Sequence, residues 1–231
     1  MVTLGLVGAL LIGVNVYAAY MVTSQRNASP PRPSGIPANI SASLANLMAL
    51  SPVGATKAPG FTLTDQRGRT LALSSLRGEV VVLEFMDPHC ADICPIVSQE
   101  FVQAYHDLGP LASKVVFAAV NVNQYFTSVH DMAAYSAEHQ LNSIPNWHFF
   151  TGPVPTLRAA WRNYHIEVHA PSRNADISHT PAVYFIDARG AERYVASPMV
   201  DYTGKGAAYL PASQLASWGH GMALLAKDLA R

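Results

Sequence analysis

Cys90 and Cys94 are the only two cysteines in the chain. They stand four positions apart in Asp87-Pro88-His89-Cys90-Ala91-Asp92-Ile93-Cys94-Pro95. An apolar, β-branched run (Glu79 to Phe85) leads into this stretch, and a helical pattern (Ile93 to Leu108) leaves it. The cysteines therefore fall on a strand-to-helix turn. The free N–H groups and positive dipole end of a helix start favour thiolate over thiol. Pro95 suits a first turn, where its missing donor costs nothing. If both cysteines lie in one helical turn, the i, i+4 spacing stacks them on one face. Their Cα atoms would then be roughly 6 Å apart, within disulfide range. The same spacing lets both sulfurs meet one metal ion, so spacing alone leaves redox and metal chemistry open.

His179 helps to choose. It precedes Thr180-Pro181 and a strongly apolar strand, Ala182 to Ile186. Taken alone it reads as an ordinary strand-end histidine. In a thioredoxin-like sheet, however, the loop entering that strand faces the cysteine turn, so two thiolates and one imidazole would converge. Two soft sulfurs and a nitrogen suit Cu(I) and can also hold Cu(II). A structural zinc site would want a fourth ligand, and none is evident.

The elements that must position these groups follow from composition and pattern. The chain has 231 residues, half of them apolar and only 13% charged. An average soluble domain carries roughly 25% charged residues, so a disordered chain, a coiled coil and a charge-driven binder are excluded. Lys plus Arg and Asp plus Glu are 15 each, which leaves no basic surplus for gripping nucleic acid. Residues 1–25 carry no charge, and Val2 to Val22 is apolar or small apart from Thr3 and Asn15. About 20 such residues span a bilayer core. With no basic residue before the run and only a weak cleavage site near Ala18, residues 1–23 read as a retained transmembrane anchor rather than a cleaved signal. Arg26 follows the run, and by the positive-inside rule it would hold the following domain in the cytoplasm. The cysteine chemistry argues for the opposite side.

Residues 24–57 read as a Pro-rich linker. Within it Ile40, Leu44, Leu47 and Met48 recur at helical spacing, and a helix there needs a surface to lie on. Residues 58–231 read as one α/β domain. A hairpin around Asp65-Gln66-Arg67-Gly68 is followed by the buried strand, the Ile93 to Leu108 helix and a second buried strand, Val115 to Val122. A helix over Val129 to Leu141, a strand over Trp147 to Phe150 and a helix over Val154 to Tyr164 come next. A hairpin, Ala182 to Ile186 with Arg193 to Ala196, and a final helix over Leu210 to Leu229 complete the domain. That order is the order of a thioredoxin-like sheet.

The constellation resembles the Sco/SenC family, the copper-delivery proteins for cytochrome c oxidase. The resemblance is carried by Cys90-Ala91-Asp92-Ile93-Cys94-Pro95, His179-Thr180, the entry Ala58 to Asp65, Gly78 to Val82, and Tyr184-Phe185-Ile186-Asp187. It spans roughly residues 58–229. It implies a thioredoxin-like domain tethered by one N-terminal helix and facing the periplasm or the mitochondrial intermembrane space. It also implies copper ligation by Cys90, Cys94 and His179. The partner would be the copper-bearing subunit of cytochrome c oxidase, whose binuclear centre would receive copper or have its cysteines kept reduced, or another copper chaperone. Oxidation to a Cys90–Cys94 disulfide would eject the metal. Two positions depart from the family pattern. Ser178 stands where an acidic residue is usual, and Thr180-Pro181 looks more like the cis-proline loop of thiol–disulfide oxidoreductases.

The main rival is therefore a membrane-tethered thiol–disulfide oxidoreductase, with Cys90 attacking and Cys94 resolving. It usually has two residues between its cysteines, not three, and needs no histidine at 179. A peroxiredoxin would want Thr or Ser at 91 and proline at 87, where this chain has Ala91 and Asp87. A non-catalytic interaction module would leave the cysteine pair inert. His165, Glu167 and His169 alternate as on a solvated strand face. His89 is expected to point away from Cys90. Met86 and Met199 are expected in the core, and Trp147 and Trp161 read as core or surface aromatics.

Overall fold

The computed structural model describes residues 33–231. The expected anchor and the first part of the linker lie outside the described residues. Among the described residues no helix is long and apolar enough to cross a membrane. In chain order the elements are α1 (Ala42–Leu47), β1 (Ser51–Lys57), β2 (Thr62–Thr64), β3 (Thr70–Ala72), β4 (Val80–Met86) and α2 (Ile93–Leu108). Next come β5 (Val115–Asn121), α3 (Val129–Glu138), β6 (Trp147–Phe150), α4 (Val154–Asn163), β7 (Val168–His169) and β8 (Ser178–His179). The chain ends with β9 (Val183–Ile186), β10 (Ala191–Ala196), β11 (Asp201–Tyr202), β12 (Ala208–Tyr209) and α5 (Ala212–Leu229).

Six strands form one sheet in the order β1-β10-β9-β4-β5-β6. β4 is parallel to β5, and β5 to β6, whereas β9 runs antiparallel to β4. A parallel strand buried on both faces needs apolar side chains at odd and even positions alike, and β4 and β5 have them. Val80, Val82 and Met86 enter the core under α2 and α5, while Val81, Leu83 and Phe85 enter the core on the opposite face, with Leu157 and Trp161 of α4. By the same alternation Glu84 faces α2.

The expected elements recur with small shifts at their ends, and α2 spans the residues expected of it. α3 stops at Glu138, three residues early, because His139 and the left-handed Gln140 end it. Its start is fixed by a capping box between Ser128 and Asp131.

Three features were not expected. Residues 51–57, read as linker, form the edge strand β1 on β10. Pro52 is tolerated there because an edge strand needs fewer donors. The register shifts between Pro52 and Thr56, where Gly54 and Ala55 turn left-handed. The other two are the short hairpins β7–β8 and β11–β12, whose two-residue strands show no period in the sequence.

The expected linker helix is α1, and its supporting surface is α5: a Cβ on Gly221 would meet Met48 Sδ, and Asn39 Nδ2 donates to Leu224 O at 3.4 Å. α5 also packs tightly on α2. A Cβ on Gly219 would stand 2.6 Å from Gln103 Cβ, so that close approach requires glycine. These contacts fix the helix that begins at the cysteine turn.

Candidate functional site

β4 delivers the chain into a turn organised by Asp87. Its buried carboxylate accepts from the backbone N–H of His89 at 2.8 Å and from Asn123 Nδ2 at 2.9 Å. Its carbonyl accepts from the Cys90 N–H at 3.2 Å. Asp92 then caps α2, accepting from the Ile93 N–H at 2.6 Å. The Cys90 thiol donates to the same Asp92 oxygen at 2.9 Å, and the Cys94 N–H donates to Cys90 Sγ at 3.4 Å. The first turn of α2 thus aims a free backbone donor at a sulfur, the arrangement the spacing predicts.

The two sulfurs are unlike. Both cysteines are free thiols, Cys90 part-exposed and Cys94 buried. The hydrogen bond with Cys90 and burial push the Cys94 thiol well above the usual range. Burial pushes the Asp92 carboxyl up, but bonds from the Cys90 thiol and the Ile93 N–H outweigh it and hold Asp92 below the ordinary value. Tyr202, on β11 of the β11–β12 hairpin, donates to the other Asp92 oxygen at 3.5 Å. Behind Cys94, Ser98 Oγ donates to the Cys94 carbonyl at 2.9 Å and meets Tyr135 Oη at 3.0 Å.

His179 lies half-buried on β8, paired with Val168 of β7. Its Nδ1 stands 3.1 Å from the Thr180 carbonyl. A carbonyl only accepts, so Nδ1 carries the proton and Nε2 keeps a free lone pair. Burial lowers the imidazole pKa, against the opposite pull of that hydrogen bond and of the Asp87 and Asp92 carboxylates. The ring is therefore held neutral, the form that ligates metal. Among the described residues, no three His, Cys, Asp or Glu side chains converge at metal-holding distance. The fold brings Cys90 and Cys94 together and does not gather His179 into one ligand set with them in this arrangement.

The remaining sequence expectations divide. His89 does turn from Cys90: its ring packs at a tilt against that of Phe126, centroids 3.8 Å apart, and its Nε2 stands 4.0 Å from Asp131 Oδ1. Met86, Trp147 and Trp161 are core residues. Met199 is not, being 58% exposed beside the β11–β12 hairpin. Apolarity alone misassigned it. His165, Glu167 and His169 do not share a strand face, because His165 is left-handed and only His169 belongs to β7. Glu167, His169 and His179 line an open hollow instead. The Thr180–Pro181 peptide bond is trans, since no described peptide bond is cis. Asp92 was legible as the polar residue before the helix, whereas nothing in the sequence marked Phe126 or Tyr202.

Two buried carboxyls lie beneath the site. Glu84 of β4 and Glu100 of α2 have oxygens without protein hydrogen-bond partners. Burial pushes both well above the ordinary glutamate range. A carboxyl raised in the folded state gives its full stability below the unfolded value and loses it as pH rises through the folded value. These two carboxyls should therefore contribute a fall in the urea unfolding midpoint of the wild type from pH 5 to pH 8. Glu100→Gln should shrink that fall, and an equal fall in both proteins would contradict this account.

A mixed sheet built from β4–α2–β5 and β9–β10–α5, with a dithiol at the start of α2, defines a thioredoxin-like domain carrying a cysteine-pair site. Residues 51–201 match the sequence model described as SCO1/SenC, well over half of the chain, and the chain belongs to that family. The mouse protein SCO2 homolog, mitochondrial, is 28% identical over 139 residues, covering 56% of this chain and 52% of that protein. The chain spans about half the length of the curated relatives it matches first. Among solved structures, Bradyrhizobium japonicum ScoI with copper bound superimposes with a TM-score of 0.57 at 20% identity, covering 75% of this chain and 99% of that one. BsSco, described with a disulfide switch and as a member of the Sco family of cytochrome c oxidase assembly proteins, gives 0.51 at 22%, covering 63% and 84%.

Proposed function

We propose that this chain is a copper-handling protein that takes one copper ion as cargo on Cys90, Cys94 and His179. It would pass the ion to the copper-bearing subunit of cytochrome c oxidase or to another copper chaperone. The observation that carries this reading is the asymmetric thiol pair at the start of α2, with the Cys94 N–H on Cys90 Sγ, in a chain of the SCO1/SenC family. Two thiols and a neutral imidazole with a free Nε2 form a soft donor set suited to Cu(I) and able to hold Cu(II). Related structures supply the precedent, ScoI with copper bound and BsSco as a member of the Sco family of cytochrome c oxidase assembly proteins.

The residues divide the work. Cys90 is the accessible sulfur that an incoming ion meets first. Cys94 is buried and protonated, so loading displaces its proton. Affinity should rise with pH, by up to about tenfold per unit for each proton displaced. His179 brings its lone pair from β8 and favours Cu(II) over Cu(I). Oxidation joins the two sulfurs, releases two protons and two electrons to a disulfide-class oxidant and removes both soft donors. Such a disulfide forms and persists in an oxidising compartment. The apolar segment 1–23 would hold the domain at a membrane, facing the periplasm or intermembrane space, and raise its local concentration near a membrane-bound client.

Anaerobic titration of the reduced chain with Cu(I), against a chelator of known affinity, tests this. One tightly bound ion per chain is expected. Reduction of insulin-type disulfides without tight copper binding would favour dithiol exchange instead.

A further inference from the structure

The donors of the proposed site stand on two separate units, the cysteine turn and the β7–β8 hairpin. One short segment, residues 123–127 between β5 and α3, touches both. Towards the cysteine turn, Asn123 Nδ2 donates to Asp87, and the Phe126 ring packs against His89, tilted by 36° with centroids 3.8 Å apart. Towards the hairpin, the Arg173 guanidinium sits over the Phe126 ring, with Cζ 4.3 Å from its centroid. Arg173 also donates to the Tyr125 carbonyl at 3.1 Å, and Tyr125 Oη donates to the Ala170 carbonyl at 3.0 Å. Phe126 therefore touches both groups, the His89 ring from the cysteine turn and the Arg173 guanidinium from the hairpin. His89 is the residue before Cys90, and Arg173 lies in the loop whose far strand carries His179.

We propose that Phe126 is a positioning residue of the copper site, coupling the hairpin that carries His179 to the turn that carries Cys90. This rests on the reading of Cys90, Cys94 and His179 as copper donors. The physical reason is economical. His179 is held by a two-residue ladder, and short ladders of that kind open readily. The cation–π contact and the Tyr125 bonds tie its loop to a segment that Asp87 already anchors. These contacts therefore limit how far the imidazole can stray from the sulfurs. A histidine that must come in to complete a ligand set binds more weakly the more freely it wanders, because ordering it costs affinity. The effect should be larger for Cu(II), which depends on the nitrogen, than for Cu(I), which the two sulfurs retain.

The test uses the full chain with Phe126→Ala, Phe126→Tyr and the surface change Arg173→Ala. Wild type is titrated first, and a wild type that binds no copper overturns the site reading and this proposal with it. Given binding, two readouts follow. In the metal-free protein, hydrogen exchange across residues 168–180 should accelerate in Phe126→Ala and Arg173→Ala, while β4 and α2 stay protected and circular dichroism is unchanged. In the copper-bound protein, Phe126→Ala should weaken Cu(II) by about 10- to 100-fold, the range for removing an outer partner of a metal site. Cu(I) should weaken less, and Phe126→Tyr should restore wild-type behaviour. Unchanged exchange in the hairpin overturns the proposal, as does faster exchange with wild-type Cu(II) affinity. If Phe126→Ala does not fold, Arg173→Ala alone decides by the same two readouts.

Discussion

Cys90→Ser and Cys94→Ser should each lower Cu(I) affinity by more than about 100-fold, since changing only the outer partners of a metal ligand costs about 10- to 100-fold. A hydroxyl is a hard, neutral donor and cannot replace a thiolate for a soft ion. The two substitutions should differ in a second respect. Cys90 holds the Cys94 N–H and is itself bonded to Asp92, so Cys90→Ser disturbs only the rim of the helix start. Cys94 is 2% exposed and packs in the core with Val97, Phe101 and Met86. A serine there buries a hydroxyl among apolar side chains and should also cost stability, about 1–3 kcal/mol if it finds no partner. His179→Ala should leave Cu(I) affinity close to wild type and lower Cu(II) affinity most. Competition titration and chemical unfolding of the same three variants check both parts. Equal Cu(I) affinity in wild type and Cys94→Ser would contradict the assignment.

Phe101→Ala should damage the fold severely. Phe101 is fully buried on α2, its ring 5.4 Å from Phe117 of β5 and 5.9 Å from Trp147 of β6. It fastens the helix to two strands at once. Removing such a ring forfeits its transfer free energy and leaves a cavity, in all about 3–5 kcal/mol. That is a large share of the roughly 5–15 kcal/mol that holds a domain together. The start of α2 carries the cysteines, so copper affinity should fall as well, through a population of chains that are not folded. Urea unfolding at neutral pH checks the loss, and a loss below about 1 kcal/mol would show that α2 is held from elsewhere.

Much of this was legible in the sequence because burial leaves a mark there. Three consecutive valines at 80–82 fit a strand covered on both faces, and α2 spans the residues its pattern marks. β1 was not legible. It is an exposed edge strand with Pro52 and Gly54 inside it, so it has neither the alternation nor the β-branched content of a covered strand. The two-residue strands of β7, β8, β11 and β12 are too short to show any period. At the site, Cys90 and Cys94 stand out by type and spacing, and Asp92 follows from helix capping. Phe126 and Arg173 do not, because their contact joins residues 47 positions apart and neither type signals a partner. Met199 shows the converse error, an apolar residue assigned to the core that the chain leaves on its surface.

X-ray absorption at the copper edge, on the loaded full chain and on His179→Ala, measures the ligand set itself. Two sulfur neighbours and at least one nitrogen are expected in the wild type, with that nitrogen lost and both sulfurs kept in the variant. A first shell without two sulfurs, or identical spectra in the two proteins, would contradict it.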